Sequence, residues 1–328
     1  MATQSRRRWY GRIAIAFLFL MVGGAAWNWS VLHARLVAYE LRTATSDVHR
    51  EDRARALVQF GEAGQPFLGE ALRSGDAATC AALAMAIREV YHGRPMDPAL
   101  ARALVTEMSG YGEPGRDAVV FVLPAILEQA DDSLVEPCRA AVDLGLKAST
   151  KSKVIAAKLA VRVKLADRLR PLLDDAEAEV RAAALAAIGA AGDAAPVGDE
   201  ELFRWMNDPD AKVRAICEAV LESHGRSAEE IDLGRRLTHP NAVERLKLLV
   251  DLSRESERDI GPWLERLARD AEPAVRAGAV RVACERKLKF ADWTDDLAKN
   301  DPDATVRQVA SFHRRKAAGL IEPAGYER

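Results

Sequence analysis

The sequence predicts an all-α fold, in which one N-terminal transmembrane helix precedes an α-solenoid of about nine helix pairs. Three observations carry this prediction. Apolar residues make up 49% of the 328 residues but aromatic residues only 6%, which suits close-packed helices of Ala, Val and Leu better than a sheet. A segment near the N-terminus is uncharged over a membrane-spanning length. An arginine also recurs at a nearly constant interval in the C-terminal half.

The first element is the segment 13–34, which contains no Lys, Arg, Asp or Glu. Its 22 residues could cross a hydrocarbon layer of about 30 Å as a helix. Aromatic residues border the segment on both sides, and arginines crowd the preceding residues 1–12. This charge distribution favours a cytoplasmic N-terminus. We therefore expect a single-pass protein of the bacterial cytoplasmic (inner) membrane, with the rest of the chain on the extracytoplasmic (periplasmic) side.

Two alternatives for this segment remain open. The basic start, the apolar stretch 13–22 and the small residues 24–26 could form a cleaved signal peptide, although the uncharged sequence continues beyond them into a Trp-rich border. The segment could also be a core helix of a soluble protein, which the nearby arginines disfavour. The transmembrane anchor and the cleaved signal peptide would both export the rest of the chain.

The C-terminal half contains five arginines at steps of 31 to 33 residues: Arg181, Arg214, Arg245, Arg276 and Arg307. The residues six positions earlier are Asp175, Asp208, His239, Asp270 and Asp301. We interpret this position as the N-cap of a second helix, followed at N1 by Pro209, Pro240 and Pro302. An apolar stripe after the cap and a matching stripe before it predict a helix, a short turn and a second helix. Neither helix can bury its stripe alone, so neighbouring units should stack.

An Asp-(Pro)-x-x-x-Val-Arg-x-x-Ala turn between two helices resembles the HEAT repeat. The spacing is similar to that of short HEAT-like repeats in bilin lyase-type proteins and bacterial scaffolds, and the match is best over residues 165–318. The resemblance implies a right-handed α-solenoid of HEAT-like helix pairs, in which each arginine reaches acidic or carbonyl groups across the turn or in the adjacent repeat. The implied polar ladder comprises Asp175, Arg181, Asp208, Arg214, Arg245, Asp270, Arg276, Asp301 and Arg307. The copy at 239–253 departs most, because His239 and Glu244 replace the usual Asp and Val.

Weaker copies extend the predicted solenoid upstream to cover residues 45–318, with a C-terminal tail at 319–328. Helices are expected at 76–90, 116–127 and 153–163, and no domain boundary is visible after residue 45. The last copy has a polar final helix, as a capping repeat requires.

The sequence offers no reactive cluster. Its six histidines are scattered, and its four cysteines lie far apart in apolar helical contexts, where a free thiol behaves as a small hydrophobe. The Asp-Pro-Asp pairs could donate carboxylates to a cation, but they recur at the turn position of the repeat, which favours a structural role. We predict no catalytic residue, metal or cofactor. The net charge of −2 argues against a nucleic-acid partner.

One local feature could be an interface. Positive residues dominate the segment 147–170, and acidic residues dominate the following 171–201. The candidate partner-binding residues are Lys147, Lys151, Lys153, Lys158, Arg162 and Lys164. They could dock an acidic protein partner or anionic headgroups. The alternative is two solvated faces that attract each other along the stack.

The sequence therefore favours a membrane-anchored scaffold or adaptor that holds a protein partner on the concave surface of its second helices. Two hypotheses compete with this one. A lyase-like or other enzyme would need several polar side chains to converge in the concave groove, with His224 or His239 as candidates. A purely structural spacer would need no distinctive surface.

Overall fold

The computed structural model of the chain describes residues 28–255, 259–286, 288 and 292–317. The predicted cytoplasmic segment 1–12, residues 13–27 of the predicted transmembrane segment and the tail 319–328 lie outside the described residues. Residues 28–34, which end the predicted transmembrane segment, are helical and continue as a helix to residue 43. Within the described ranges, no helix has both the length and the apolar character that crossing a membrane requires.

The fold is all-helical, as predicted, and the described residues contain no strand. The α-helices are α1 (28–43), α2 (Asp47–Gln59), α3 (Gln65–Ser74), α4 (Ala77–Val90), α5 (Pro98–Thr106), α6 (Glu113–Glu128), α7 (Asp132–Gly145), α8 (Thr150–Ala160), α9 (Ala178–Ala191), α10 (Asp199–Leu202), α11 (Ala211–Ser223), α12 (Ala228–Leu237), α13 (Ala242–Arg254), α14 (Gly261–Leu267), α15 (Pro273–Glu285), α16 (Asp292–Asn300) and α17 (Ala304–Ala317). Short 3-10 helices span Gly61–Ala63, Met108–Gly110, Ala166–Asp174, Gly192–Ala194 and Phe203–Asn207.

The chain divides into two compact units, Met1–Pro196 and Val197–Arg328, a division for which the repeat pattern gives no sign. In the first unit, alternate helices pack on one another: α2 on α4, α4 on α6 and α6 on α8. α8 in turn packs on α9, and the 3-10 helix Ala166–Asp174 lies between these two in the chain. The intervening helices do the same, α3 on α5 and α5 on α7. Each of these helices therefore contacts its counterpart one helix pair along the chain. α1 is joined to this unit by ion pairs of Glu40 with Arg53 at 3.2 Å and of Arg42 with Glu70 at 2.7 Å.

In the second unit, α13 packs on α15, and α15 packs on α17. α14 and α16 cover α15 and α17, respectively. The core they enclose is made mainly of Leu, Val and Ala, and includes Leu248, Leu264, Val275 and Val306, all fully buried. α12 packs on α13 and on the 3-10 helix Phe203–Asn207. Small aliphatic side chains thus build this core, as the composition predicts.

The N-cap of each second helix lies at a different residue from the predicted one. Asp208, Asp270 and Asp301 do not cap the helix. Each accepts a hydrogen bond from the backbone N–H two residues later, at 2.8 Å. The N-cap lies two residues further along: Asp210 accepts from the N–H groups of Lys212 and Val213 at 2.8 and 3.1 Å, and Asn241 caps α13 in the same position.

The prolines are displaced for the same reason. Pro209, Pro240 and Pro302 lie between the two turn side chains, before the N-cap, and not at N1 as predicted. An Asp that accepts the N–H two residues on forms a turn with one residue in its middle. Proline suits that middle place because its φ is fixed and its missing N–H is not used there. Among the prolines near these turns, Pro273 is the one that lies at the first position of a second helix.

Two of the predicted first helices are 3-10 helices over part or all of their length. Residues Ala166–Asp174 contain Pro171, which removes a backbone donor from the middle of the segment. α10 lasts only from Asp199 to Leu202 before it tightens into Phe203–Asn207. Trp205 is buried in this tightened segment, while Trp263 and Trp293 pack at the edge of the core of the second unit.

Candidate functional site

Each repeat arginine first closes its own turn. Nη1 of Arg276 donates to the carbonyl oxygens of Asp270 and Ala271, at 2.8 and 3.0 Å. The other four arginines make the same two contacts, to the carbonyls six and five residues earlier, at 2.5–2.8 Å and 3.0–3.2 Å. The side chain is therefore held across the turn in every copy, with its Nε and Nη2 edge directed away from these carbonyls.

Arg276 and Arg245 use that second edge to bind the next copy. Nε and Nη2 of Arg276 donate to the two carboxylate oxygens of Asp301 at 2.7 and 2.8 Å. Arg245 binds Asp270 in the same bidentate way at 2.6 and 2.8 Å. The Arg276–Asp301 pair is almost fully enclosed, since only 9% and 1% of the two side chains are exposed. We call each such arginine–aspartate contact between copies a rung.

The buried rung changes the acidity of its carboxylate. The hydrogen bond from Arg276 holds the pKa of Asp301 below its ordinary value, and the N–H of Asp303 acts in the same direction against the opposing effect of burial. Removing one partner of such a buried ion pair strongly destabilises a fold, because the other charge stays enclosed without a partner.

The first unit contains a lysine variant of the rung. Nζ of Lys153 on α8 lies 2.7 Å from Oδ2 of Asp175, and Asp175 also accepts from the N–H of Glu177 at 3.0 Å. Burial, the largest single influence, raises the pKa of Asp175, but the contacts from Lys153 and Glu177 outweigh it and the pKa is lowered. Lys153, one of the predicted partner-binding residues, thus makes a contact within the fold.

The ladder is interrupted in the second unit. Arg214 should find its carboxylate at position 239, where the sequence has histidine. Nδ1 of His239 accepts from the N–H of Asn241 at 3.1 Å, so the imidazole replaces the aspartate within its own turn. It supplies no carboxylate to Arg214. Among the residues that the structure describes, Nε and Nη2 of Arg214 have no hydrogen-bond or ion-pair partner.

A cavity of about 450 Å³ lies at this interruption. Its lining residues are Met206, Asn207, Asp208, Arg214, Arg235, Arg236, His239 and Glu244. Both residues by which this copy departs from the repeat, His239 and Glu244, thus line one cavity. We call Arg214 together with this cavity the open rung.

Two positions of α13 differ from the corresponding positions of the neighbouring second helices. Gly278 lies so close to α13 that a Cβ there would meet Cδ1 of Leu249 at 2.7 Å, which shows how near α15 approaches. The same place in α13, two residues after the arginine, holds Lys247. Glu244 also stands where Val213, Val275 and Val306 are fully buried in the other copies. At positions 247 and 244, α13 therefore carries a larger and a charged side chain in place of the small and the apolar residue of α15.

Most charges around the open rung are already compensated. Arg235 pairs with Asp232 at 2.5 Å, Arg236 pairs with Asp251, and Glu244 pairs with Lys247 at 2.7 Å. The hydrogen bond from Lys247 is the main reason that the pKa of Glu244 is lowered, and the nearby charge of Arg236 adds to the effect. Arg214 is the lining cation that has no carboxylate partner in the described part of the chain.

The predicted partner-binding residues fall into two groups. Lys147 pairs with Asp143 at 2.5 Å, and Lys153 belongs to the rung of Asp175. The other four have no ion pair within the described residues and are exposed: Lys151, Lys158, Arg162 and Lys164. We call these four residues the basic strip. Arg162 also donates to the carbonyl of Leu127 at 2.6 Å, which fixes its position without neutralising its charge.

The histidines proposed for an enzymatic groove do not converge. Nδ1 of His224 lies 2.6 Å from Asp199, which also accepts from Nε of Arg226 at 2.7 Å. Burial, the largest influence, raises the pKa of Asp199, but these two contacts outweigh it and lower the pKa. His239 lines the open rung, which includes neither Asp199 nor His224. Within the residues that the structure describes, no group of three His, Cys, Asp or Glu side chains could hold a metal ion.

The four cysteines are free thiols, and burial shapes their chemistry. Desolvation raises the pKa of Cys80, Cys138 and Cys284 to about 11 and that of Cys217 to about 12. Cys217 donates to the carbonyl of Leu202 at 3.2 Å. These thiols stay protonated near neutral pH and pack as small apolar groups.

No protein-family model matches the chain, and no curated protein is similar to it. The geometry of the site therefore carries the functional argument. Sequence reasoning missed the cavity and its lining residues Asn207, Arg235 and Arg236. The available signal was the replacement of two repeat positions, 239 and 244, in a single copy.

Proposed function

We propose that the protein is a membrane-anchored HEAT-repeat protein that acts as a protein-binding scaffold or adaptor outside the cytoplasm. In this proposal, residues 13–34 anchor the chain in the cytoplasmic membrane, and residues 45–318 form the right-handed α-solenoid that carries the binding surfaces. The anchor is supported by the uncharged segment and the arginines before it. The solenoid is supported by the successive packing of alternate helices in each unit and by the repeated arginine turn.

The observation that carries the binding function is the basic strip. The four side chains of the basic strip are exposed and make no ion pair within the described residues, whereas Lys147 nearby pairs with Asp143. Lys151 and Lys158 lie seven residues apart on α8 and share one face of that helix. Arg162 and Lys164 follow in the turn after it. Four uncompensated positive charges at one place attract an acidic protein surface and speed its association.

Crosslinking in intact membranes tests this function. Proteins captured by the full-length chain should be lost from the triple variant Lys151→Glu, Lys158→Glu and Lys164→Glu, which avoids Lys153 because that residue belongs to a rung. The matched control is Lys212→Glu, Lys299→Glu and Lys316→Glu, which makes the same charge change on exposed lysines of the second unit. Equal capture by the wild type and the basic-strip variant would show that the strip is not the interface.

The topology is tested separately. A reporter enzyme that is active only outside the cytoplasm, fused after Arg328, should be active in cells. A second reporter, which is active only in the cytoplasm, is fused at the same point. Activity of this second reporter alone would contradict the proposed location. Deletion of residues 1–34 is expected to release the remaining chain from the membrane fraction, and a chain that stays bound without them would contradict the anchor.

A further inference from the structure

The open rung presents a guanidinium edge that the fold has already oriented. Nη1 of Arg214 is fixed by the carbonyls of Asp208 and Pro209 at 2.7 and 3.0 Å. The remaining donors, Nε and Nη2, are the pair that binds an aspartate in the neighbouring copies. Because the turn holds the side chain, a ligand does not have to order it on binding, which lowers the entropic cost of association.

The neighbouring rungs define what chemistry suits that edge. Arg245 and Arg276 each bind one planar carboxylate through two parallel hydrogen bonds of 2.6–2.8 Å. A guanidinium matches a carboxylate in this fork geometry better than any neutral acceptor. A ligand carboxylate could therefore take the place that an aspartate at position 239 would occupy.

The charge of the cavity favours a monoanion. Arg235, Arg236 and Glu244 are each paired already, so Arg214 contributes the uncompensated positive charge. A second negative charge on the ligand would find no further unpaired cation among Arg235 and Arg236, which disfavours a dianionic phosphate.

The room at the open rung exceeds that of a single carboxylate. A cavity of about 450 Å³ accommodates an acidic side chain together with the adjoining backbone of a peptide. The amide of Asn207, which donates to the carbonyl of Arg235 at 2.8 Å and to Thr238 Oγ1 at 3.1 Å, keeps the wall of the cavity in place.

We propose that the open rung binds the carboxylate of an aspartate or glutamate side chain on a partner polypeptide, with Nε and Nη2 of Arg214 as the donors. This inference rests on the proposed scaffold function and adds to it a specific recognition site. The basic strip would attract an acidic partner, whereas the open rung would read a single acidic side chain through paired hydrogen bonds.

The test uses the full-length chain, labelled with 15N-arginine, in detergent micelles. The probe is the peptide acetyl-Gly-Asp-Gly-amide, and its matched control is acetyl-Gly-Asn-Gly-amide. We expect the Nε–H resonance of Arg214, assigned by its loss in Arg214→Lys, to shift saturably with the aspartate peptide. Two charge-assisted hydrogen bonds should make this affinity at least about tenfold higher than that for the asparagine peptide.

Arg307 provides an internal control. It makes the same turn contacts as Arg214, has no aspartate partner in the described residues and does not line the cavity of the open rung. Its resonance should respond at least about tenfold more weakly than that of Arg214. Equal responses of the two arginines, or equal responses to the two peptides, would mean that the probe pairs with any free guanidinium and would overturn the site. The absence of any saturable shift would overturn it as well.

A variant fills the site from within. His239→Asp should place a carboxylate opposite Arg214, shift its resonance before any peptide is added and weaken the peptide response at least about tenfold. If His239→Asp shifts the resonance of Arg214 and the peptide response is nevertheless unchanged, the probe lies elsewhere and the proposal is overturned. If membrane crosslinking captures the same partners with His239→Asp as with the wild type, the scaffold function stands and the open rung is not its recognition site. If the wild type captures no partner, the scaffold function fails, whatever the peptide does.

Discussion

The rung of Arg276 and the open rung of Arg214 use the same side chain with different outcomes. Both arginines hold their own turn through Nη1. Arg276 also binds Asp301 in a nearly buried pair, whereas Arg214 lines a cavity and position 239, where its aspartate would stand, is histidine. The contact within the turn is therefore constant and the contact between copies is variable. Shaping the turn and joining neighbouring copies are separable tasks of one arginine.

The largest effect should come from removing the buried carboxylate. Asp301→Ala leaves Arg276 charged, enclosed and without its partner, and is expected to lower the free energy of unfolding by about 3–5 kcal/mol. Asp303→Ala removes only the N-cap contacts of Asp303 with the N–H groups of Thr305 and Val306, which should cost about 0.5–2 kcal/mol. Urea unfolding followed by circular dichroism compares the two. Equal losses would contradict the separation of rung and cap.

The packing of α12 beside the open rung can be tested at Gly234. A Cβ on Gly234 of α12 would lie 2.2 Å from a ring carbon of the buried Phe203, so Gly234→Ala should destabilise the fold by about 1–3 kcal/mol. Gly69 of α3 has only ordinary contacts at 3.4 Å or more, and Gly69→Ala should stabilise its helix by about 0.5–1 kcal/mol. Thermal unfolding of both variants measures the contrast. A neutral Gly234→Ala would show that α12 can move, and the cavity would then be a product of local looseness.

The stability that the Arg276–Asp301 rung contributes should depend on pH. The pKa of Asp301 is lower in the folded chain than its ordinary value of about 3.9 because Arg276 stabilises the carboxylate. The rung therefore contributes stability that is fully present above the unfolded pKa and is lost as the pH falls through the lower, folded pKa. The stability difference between the wild type and Asp301→Asn should narrow as the pH is lowered from 5 towards 2, in urea titrations at each pH. A difference that stays constant would contradict the lowered pKa.

Much of the helical pattern could be predicted from the sequence, because an arginine that closes a turn leaves a regular spacing. The expected helices at 76–90, 116–127 and 153–163 correspond to α4, α6 and α8. The N-cap was assigned two residues too early, since an Asp can accept a hydrogen bond from the N–H of a turn as readily as from that of a helix. In Asp-Pro-Asp the two roles fall to identical residue types, so composition alone does not separate them.

The candidate site was less accessible to sequence reasoning. The basic segment was visible as a run of positive charge, but whether each lysine meets a carboxylate depends on the packing of other helices. Lys153 meets Asp175, which is 22 residues away, and Lys158 meets none in the described part of the chain. The cavity was harder to predict, because it depends on how several elements pack together. Its lining residues come from the 3-10 helix Phe203–Asn207, from α11, α12 and α13 and from the turns between them, so the sequence alone does not show that they meet.

The smallest predicted effect is the most direct comparison of the two rungs. His239→Asp restores the aspartate of the repeat, and the new side chain can accept the N–H of Asn241 as Asp270 accepts that of Glu272. Because Arg214 is only half-buried, the restored pair should raise the free energy of unfolding by about 0.2–1 kcal/mol. The gain should vanish in the Arg214→Gln background, which a double-mutant cycle measures. A gain that survives without Arg214 would place its origin in the turn. No gain at all would mean that α11 and α13 lie too far apart for a rung, and that Lys247 and Glu244, more than His239, keep the ladder open.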